Sequence, residues 1–279
     1  MGNNPNLFII GAGKCGTTTL FNWLSNHPDI YAAPEKEPHY YSVAFSGGTG
    51  PWGALPHISS IEDYRALFSD AGDQAYRMEA SASYLYYPGT AEKIKADCPD
   101  SRLVALFRDP VERAVSDYKM QRMLGHETRS FQRTLDEMED PTKLEYLSQG
   151  LYSQQLQRYQ DVFGREAINI LLYEDFFSDP VTGMSSLLGW LGLDEQVPLG
   201  LEKKYNIGGN KVPLNRGLYR FAKKLSPIFP RRLVQHGKNM LTKDFTIRQE
   251  WLDWLTDYYA EDRRKLAEMT GWDLSSWRS

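Results

Sequence analysis

Short apolar runs alternate with segments of helical periodicity along the first two thirds of the chain. The runs that predict buried strands are Leu7–Ile10, Arg102–Phe107 and Ile168–Tyr173. The helices predicted to follow them are Thr17–Asn26, a helix beginning at Pro110, and Pro180–Leu191. This alternation favours an α/β fold, with a central parallel sheet flanked by helices on both faces. Ligands of such sheets bind beyond the carboxyl ends of the strands.

Two stretches depart from the alternation. His39–His57 is rich in glycine, proline, serine and aromatic residues, and predicts a long ordered loop over one end of the sheet. From Pro213 onward the pattern is helical, with basic residues grouped between Asn215 and Lys238. This basic group is either a solvated helix face or a rim that attracts an anionic ligand. Because no repeat or linker divides the chain, we expect one domain over residues 1–279.

Composition and net charge limit the kinds of partner that the protein can bind. The longest apolar run, Val181–Leu193, is interrupted by glycine and serine and is shorter than the roughly 20 residues of a membrane span. No leader pattern is present, and Asn6 stands where a myristoylation signal has serine or threonine, so we expect a cytoplasmic protein. The two cysteines, Cys15 and Cys98, fit a reducing compartment. With a net charge of −4, we expect no nucleic-acid partner, and any anion must be held by a local group of side chains.

A glycine-rich turn, GAGKCGTTT from Gly11, joins the first predicted strand to its helix. Free amide groups at a helix start and the helix dipole form an anion site. Lys14 adds a positive charge there, and the threonines add hydroxyl donors. The candidate phosphate-binding residues are Gly13, Lys14, Cys15, Gly16, Thr17 and Thr18. A purely structural turn is the alternative.

The spacing of this turn differs from that of a P-loop that binds ATP or GTP. In those loops the hydroxyl directly after the lysine holds Mg²⁺. Here Cys15 and Gly16 follow Lys14, and the hydroxyl groups come later. The turn can therefore bind phosphate without that magnesium ligand. This weighs against a kinase, although a small-molecule or nucleotide kinase stays the alternative function.

A second anion site is predicted at the end of the second strand. Arg108 follows that strand directly, and Ser116 lies under two helical turns beyond Pro110, so both side chains can converge on one anion. The acidic neighbours that can pair with Arg108 instead are Asp109 and Glu112, in which case Ser116 faces solvent. For Arg113 we expect a structural ion pair. Its available partners are Glu112, Asp117 and Glu79.

Together these segments resemble the signature motifs of sulfotransferases that use 3′-phosphoadenylyl sulfate (PAPS). The matching segments are Gly13–Thr18, Arg108–Tyr118 and Leu172–Pro180. The resemblance implies a P-loop NTPase-like sulfotransferase fold, in which the first motif holds the 5′-phosphosulfate. By the same resemblance Arg108 and Ser116 hold the 3′-phosphate, and Tyr173 lies near the adenine, although a core position is an equal interpretation of that tyrosine alone. No metal is implied.

The segment after the first helix is similar to the branch of that family that includes the heparan sulfate enzymes and bacterial relatives. A glutamate in an E-x-H-[FY]-[FY] setting is the general base there, which implies that Glu37 is the base and His39 its neighbour. Lys36 is the competing candidate, and an exposed surface turn is the alternative interpretation. Lys14 would then stabilise the charge that collects on the leaving adenosine 3′,5′-bisphosphate.

Departures from the family pattern bear on the acceptor and on the 3′-phosphate. Ala80 stands where the heparan-type enzymes carry a further lysine. Lys211 or Arg216 is expected to contact the 3′-phosphate in place of the family's C-terminal loop. The aromatic side chains that either line an acceptor cleft or fill the core are Tyr40, Tyr41, Phe45, Trp52, Tyr84, Tyr86 and Tyr87. We expect sulfuryl transfer from PAPS to a hydroxyl or amine of a carbohydrate or other small molecule, with a non-catalytic scaffold as the second alternative.

Overall fold

The computed structural model describes residues 4–42, 58–137, 139–140, 142, 144–195, 199–203, 211–213 and 242–278. The predictions that fall outside the described residues concern residues 43–57 of the expected loop, with Phe45 and Trp52, and residues 214–241 of the expected helical pattern, with Arg216 and the basic group between Asn215 and Lys238. No helix in the described part of the chain has the length and apolar character needed to cross a bilayer.

A five-stranded sheet forms the centre of the fold, in the order β2-β3-β1-β4-β5 with every neighbouring pair parallel. Its strands are β1 Leu7–Gly11, β2 Ile30–Ala32, β3 Tyr76–Ala80, β4 Arg102–Phe107 and β5 Ile168–Leu172. The expected α/β fold is confirmed. Because β1 and β4 are neighbours, with Leu7 opposite Arg102 and Gly11 opposite Ala105, the turns that follow them emerge side by side.

Helices occupy the connections between the strands. Those before β5 are α1 Thr17–Leu24, α2 Ile61–Ala66, α3 Thr90–Asp97, α4 Pro110–Leu124, α5 Phe131–Glu137, α6 Glu145–Ser148 and α7 Tyr152–Phe163. Those after it are α8 Tyr173–Ser178, α9 Pro180–Leu191 and α10 Gln249–Thr270. In β1 and β4 the stretches 7–10 and 103–107 have no exposed surface, which means that both faces of the central strands are covered.

The predicted start of α4 is confirmed. The Asp109 side chain accepts hydrogen bonds from the backbone N–H of Val111, at 2.8 Å, and of Glu112, so it caps the helix that Pro110 begins. This cap matters for the site, because it fixes where the helix begins directly after Arg108.

Several predicted boundaries are wrong. Tyr173 is the first residue of α8 rather than the last of a strand, and α1 ends at Leu24. The pattern from Pro213 onward predicts helix alone, whereas a short antiparallel pair, β6 Lys211–Pro213 and β7 Thr242–Asp244, precedes α10. The strands β2 and β3 were not predicted, since one has three residues and the other places Arg77 and Glu79 among its five.

Candidate active site

The carboxyl ends of all five parallel strands contribute side chains to one edge of the sheet. Lys14 lies in the turn after β1, Glu37 follows β2, Ser81 follows β3, Arg108 follows β4 and Tyr173 follows β5. This is the edge at which ligands of parallel sheets bind. The order of the strands therefore brings together the two anion-binding turns and the segment that carries Glu37.

The turn between β1 and α1 leaves amide groups available at the helix start. Gly16 is the N-cap of α1 in a left-handed conformation, with φ 87°, and no side chain caps the helix. In the described part of the chain, the backbone N–H groups of Lys14, Gly16, Thr17 and Thr18 have no hydrogen-bond acceptor. Such unsatisfied donors at a helix N-terminus suit an anion. The predicted phosphate-binding turn thus has the required donors.

The Lys14 side chain lies between this turn and α4. Its Nζ is 3.5 Å from the sulfur of Met120. Burial lowers the pKa of Lys14, while the carboxylates of Asp117 and Glu37 act in the opposite direction. Two carboxylates therefore act on the Lys14 ammonium group: Asp117 from α4 and Glu37 from the segment after β2.

Cys15 occupies the position after Lys14 as a packing residue. Its side chain has no exposed surface, and the sulfur is 3.8 Å from the hydroxyl of Tyr152. Burial raises the pKa of this thiol to about 11, so it is neither a nucleophile nor a ligand for Mg²⁺, which prefers oxygen.

Arg108 connects the two turns. Its Nη1 lies 3.5 Å from the carbonyl oxygen of Lys14, and its guanidinium stacks 4.8 Å above the centre of the Tyr173 ring. It also lies 3.7 Å from the carboxylate of Glu112, so the pairing considered from the sequence is present, at long range. Arg108 therefore lies between the first turn and Tyr173 at the ligand-binding edge of the sheet.

The other residues of the second motif divide into a structural pair and a partly accessible serine. Arg113 and Asp117 have no exposed surface and form an ion pair of 3.0 Å, which confirms the structural role expected for Arg113. Ser116 is half-buried on α4 directly before Asp117. The strand β6, which contains Lys211, lies beside α4, and the Lys211 side chain is outside what the structure describes.

Tyr173 is half-buried and lies outside the hydrophobic core. Its ring contacts Phe177, with the centroids 4.8 Å apart, and carries Arg108 on its face. A Cβ on Gly16 would approach the Phe177 ring to 2.5 Å, so only glycine lets the first turn pack against these aromatic rings.

Glu37 and His39 occupy an unusual backbone conformation after β2. Both have left-handed φ angles, 63° and 54°, although neither is glycine. The carboxylate of Glu37 lies 2.5 Å from Lys36 Nζ and 3.5 Å from His39 Nε2. The His39 side chain is 1% exposed, and that of Glu37 is 29% exposed. The alternative of a plain exposed turn is therefore wrong.

The surroundings of Glu37 keep it ionised. Burial favours the neutral acid, but the hydrogen bond from His39 and the charge of Lys36 outweigh burial and hold the pKa of Glu37 at about 2. The segment thus presents a fixed carboxylate at the same sheet edge as Lys14.

The aromatic residues proposed as cleft or core are mainly core. Tyr41 and Tyr84 are buried, and Tyr40 stacks on Tyr64 with the centroids 4.5 Å apart. Tyr86 is half-buried and Tyr87 is buried; their hydroxyl groups bond Ser148 and Glu145. In the described residues no cluster of His, Cys, Asp and Glu could hold a metal ion.

Sequence reasoning missed contacts made by residues far apart in the chain. Trp277 Nε1 donates to Glu174 at 3.1 Å, and the backbone N–H of Arg278 donates to Asp109 at 3.0 Å. The C-terminal segment thus lies against the start of α4. No local pattern signals this, because about 100 to 170 residues separate the partners.

Comparison with known proteins bears on the family of this chain. The model of the sulfotransferase family matches residues 5–196. Human heparan sulfate glucosamine 3-O-sulfotransferase 6 is 27% identical over 97% of this chain and 73% of that protein. The mouse 3-O-sulfotransferase 3A1 is 28% identical over 97% of this chain, which spans 64% of that protein's length.

A solved structure matches over nearly the whole chain. The crystal structure of a sulfotransferase from Alicyclobacillus acidocaldarius has a TM-score of 0.75 and 30% identity, and the match covers 99% of both chains. Together with the match of the family model to more than half of the chain, this confirms the expected enzyme class. The chain belongs to the sulfotransferase family.

Proposed function

We propose that this enzyme transfers a sulfuryl group from PAPS to a hydroxyl or amine of a carbohydrate or other small-molecule acceptor. The observation that carries the proposal is the meeting of two cationic turns and one ionised carboxylate at a single sheet edge. Arg108 lies 3.5 Å from the Lys14 carbonyl oxygen, and the charge of Glu37 acts on Lys14. A carbohydrate acceptor is supported by the heparan sulfate enzymes among the relatives.

The residues of the two turns suit a nucleotide with a phosphate at each end. The free amide groups of Gly16, Thr17 and Thr18, with Lys14, would hold the 5′-phosphosulfate. Arg108, with Ser116 and Lys211, would hold the 3′-phosphate by paired hydrogen bonds. When bound, PAPS supplies the activated sulfuryl group.

Glu37 is the general base in this proposal. Because its pKa is about 2, the carboxylate is ionised at neutral pH and can accept a proton. Such a weak base gains little from removing a proton from a free hydroxyl, so proton transfer must accompany attack on sulfur. His39 Nε2 is the polar atom next to this carboxylate, 3.5 Å away.

Lys14 stabilises the leaving group in the same step. Negative charge collects on the bridging oxygen of adenosine 3′,5′-bisphosphate as the bond to sulfur breaks. A cation that already lies in the 5′-phosphate turn interacts more strongly with this charge than with the ground state. The Asp117 carboxylate favours the charged form of Lys14.

The test is transfer of radiolabelled sulfate from PAPS across a panel of carbohydrates, phenols, amines and lipids. Glu37→Gln keeps a side chain of the same size and removes the base. We expect transfer to fall by roughly 10²–10⁴-fold while the Kd for adenosine 3′,5′-bisphosphate stays within about threefold. Glu35→Gln, at an exposed position two residues away, is the matched control and should transfer at the wild-type rate.

Other outcomes separate the alternatives. Equal turnover by Glu37→Gln would remove the base assignment. Thermal stabilisation by ATP with Mg²⁺, but not by adenosine 3′,5′-bisphosphate, would favour the kinase. Binding of the bisphosphate without transfer to any acceptor of the panel would favour a scaffold.

A further inference from the structure

A buried carboxylate outside the proposed chemistry lies directly behind the Glu37 segment. Glu79, near the end of β3, has no exposed surface. Its Oε1 accepts a hydrogen bond from the Ser81 hydroxyl at 2.6 Å, and its Oε2 accepts one from Tyr64 at 3.1 Å. Burying a carboxyl group is costly, and these hydroxyl groups offset part of that cost.

The Ser81 hydroxyl links the Glu79 carboxylate to the backbone of His39. The backbone N–H of His39 donates to Ser81 Oγ at 3.1 Å. A hydroxyl has one hydrogen, and Ser81 gives it to Glu79, so a lone pair is left to face the His39 amide. The hydrogen bond to Glu79 thereby orients the Ser81 hydroxyl so that its oxygen accepts from the backbone N–H of His39.

Two anchors hold the left-handed segment against the end of β3. The backbone N–H of Glu37 donates to the carbonyl oxygen of Ala80 at 2.8 Å, and His39 bonds Ser81. Left-handed φ angles of non-glycine residues persist only where the surroundings fix them. The His39 ring is held as well, with its Nδ1 2.8 Å from the hydroxyl of Ser83.

We propose that Glu79, acting through Ser81, is a positioning residue that holds the Glu37 carboxylate at the transfer site. This inference rests on the proposed function, in which Glu37 is the general base. Without the Ser81 contact the segment 37–39 relaxes from its left-handed conformation and the carboxylate moves. In the part of the chain that the structure describes, Glu79 and Ser81 form no hydrogen bond or ion pair with Lys14 or Arg108, so we expect nucleotide affinity to be unchanged.

The test compares Ser81→Ala with Ser101→Ala, both substitutions of a buried serine. Ser101 lies at the opposite end of the sheet, before β4, and its hydroxyl has no partner in the described part of the chain. We expect Ser81→Ala to lower kcat by roughly 10- to 100-fold, as for a misplaced catalytic group, with the Kd for adenosine 3′,5′-bisphosphate within about twofold. Ser101→Ala should leave both unchanged.

Glu79 variants and a double mutant separate positioning from a general loss of structure. Glu79→Ala should resemble Ser81→Ala, whereas Glu79→Gln keeps an oxygen for the Ser81 hydroxyl and should restore most of kcat. In the Glu37→Gln background, Ser81→Ala should cause no further loss, because the group that it positions is already absent. An additional loss of similar size would overturn the inference.

The same set of variants distinguishes failure of this inference from failure of the proposed function. If Glu37→Gln abolishes transfer while folded Ser81→Ala and Glu79→Ala keep the wild-type kcat, the positioning role is wrong and the base stands. If Glu37→Gln transfers normally, the base assignment and the positioning role both fail. Should one of the alanine variants not fold, the other supplies the same comparison.

Discussion

Two arginine–carboxylate pairs with the same i,i+4 spacing lie in opposite environments. Arg113 and Asp117 on α4 have no exposed surface, whereas Arg133 is 69% and Glu137 43% exposed. A buried carboxylate that loses its cation is left uncompensated, while an exposed one is hydrated. Loss of the arginine from the same i,i+4 pattern therefore costs much more stability at the buried pair on α4 than at the exposed pair on α5.

This contrast gives a prediction for stability. Arg113→Met should lower the free energy of unfolding by about 3–5 kcal/mol, because Asp117 stays buried without its partner. The matched change Arg133→Met should cost less than about 1 kcal/mol. Urea denaturation of both variants measures the difference, and equal effects would contradict the burial of the first pair.

Glu79 also predicts how stability depends on pH. Burial raises its pKa to about 7 in the folded protein, from 4.5 in the reference state, although the hydroxyl bonds of Ser81, Tyr84 and Tyr64 act against this. A group with a raised pKa contributes full stability below pH 4.5 and loses it as the pH rises towards 7. Relative to Glu79→Gln, the wild type should therefore lose stability between pH 4.5 and 7.5.

The measurement is denaturant unfolding of wild type and Glu79→Gln at several pH values. The two curves should diverge by up to about 3 kcal/mol over this interval, since one pKa unit corresponds to about 1.4 kcal/mol. Curves that run parallel would show that Glu79 titrates near its ordinary value.

At the scale of elements, the C-terminal segment is joined to α4 by a shared carboxylate. Glu112 accepts from the guanidinium of Arg278 at 3.0 Å, and Arg108 approaches it to 3.7 Å. Arg278 contacts Oε1 and Arg108 approaches Oε2, so the two guanidinium groups share the charge of Glu112. Because the ion pair with Arg278 partly neutralises Glu112, Arg108 can interact more strongly with a bound anion.

We therefore expect Arg278→Ala to weaken binding of adenosine 3′,5′-bisphosphate. Glu112 would then interact more strongly with Arg108, and since both partners are partly exposed the effect should be roughly two- to fivefold. The Kd measured at low ionic strength checks this. In the Glu112→Gln background the same substitution should have no effect, and a loss that persists there would contradict this sharing of charge.

The sequence predicted those elements whose signals are local. The buried runs that became β1 and β4, the start of α4 at Pro110 and the glycine turn depend on neighbouring residues. β3 was missed because Arg77 and Glu79 interrupt its apolar pattern. The contact between Ser81 and His39 spans 42 residues, and β2 and β3 pair only once the chain has folded. Such contacts have no local signature.

At the scale of the whole molecule, an acidic chain concentrates cations at one edge of its sheet. The net charge is −4, yet Lys14, Lys36 and Arg108 all follow strands at the same end. A local group of this kind raises the electrostatic potential at the site although the net charge of the chain is negative. A cytoplasmic location and a carbohydrate or other small-molecule acceptor stay predictions.

In the proposed complex, one nucleotide bridges the turn after β1 and the turn after β4. Calorimetric titration of wild type and Arg108→Ala with adenosine 3′,5′-bisphosphate and with adenosine 5′-monophosphate tests it most directly. We expect Arg108→Ala to weaken binding of the bisphosphate by about 2–5 kcal/mol, roughly 30-fold or more, and to leave the monophosphate within about twofold. Equal weakening of both ligands, or an unchanged affinity for the bisphosphate, would show that Arg108 does not hold the 3′-phosphate.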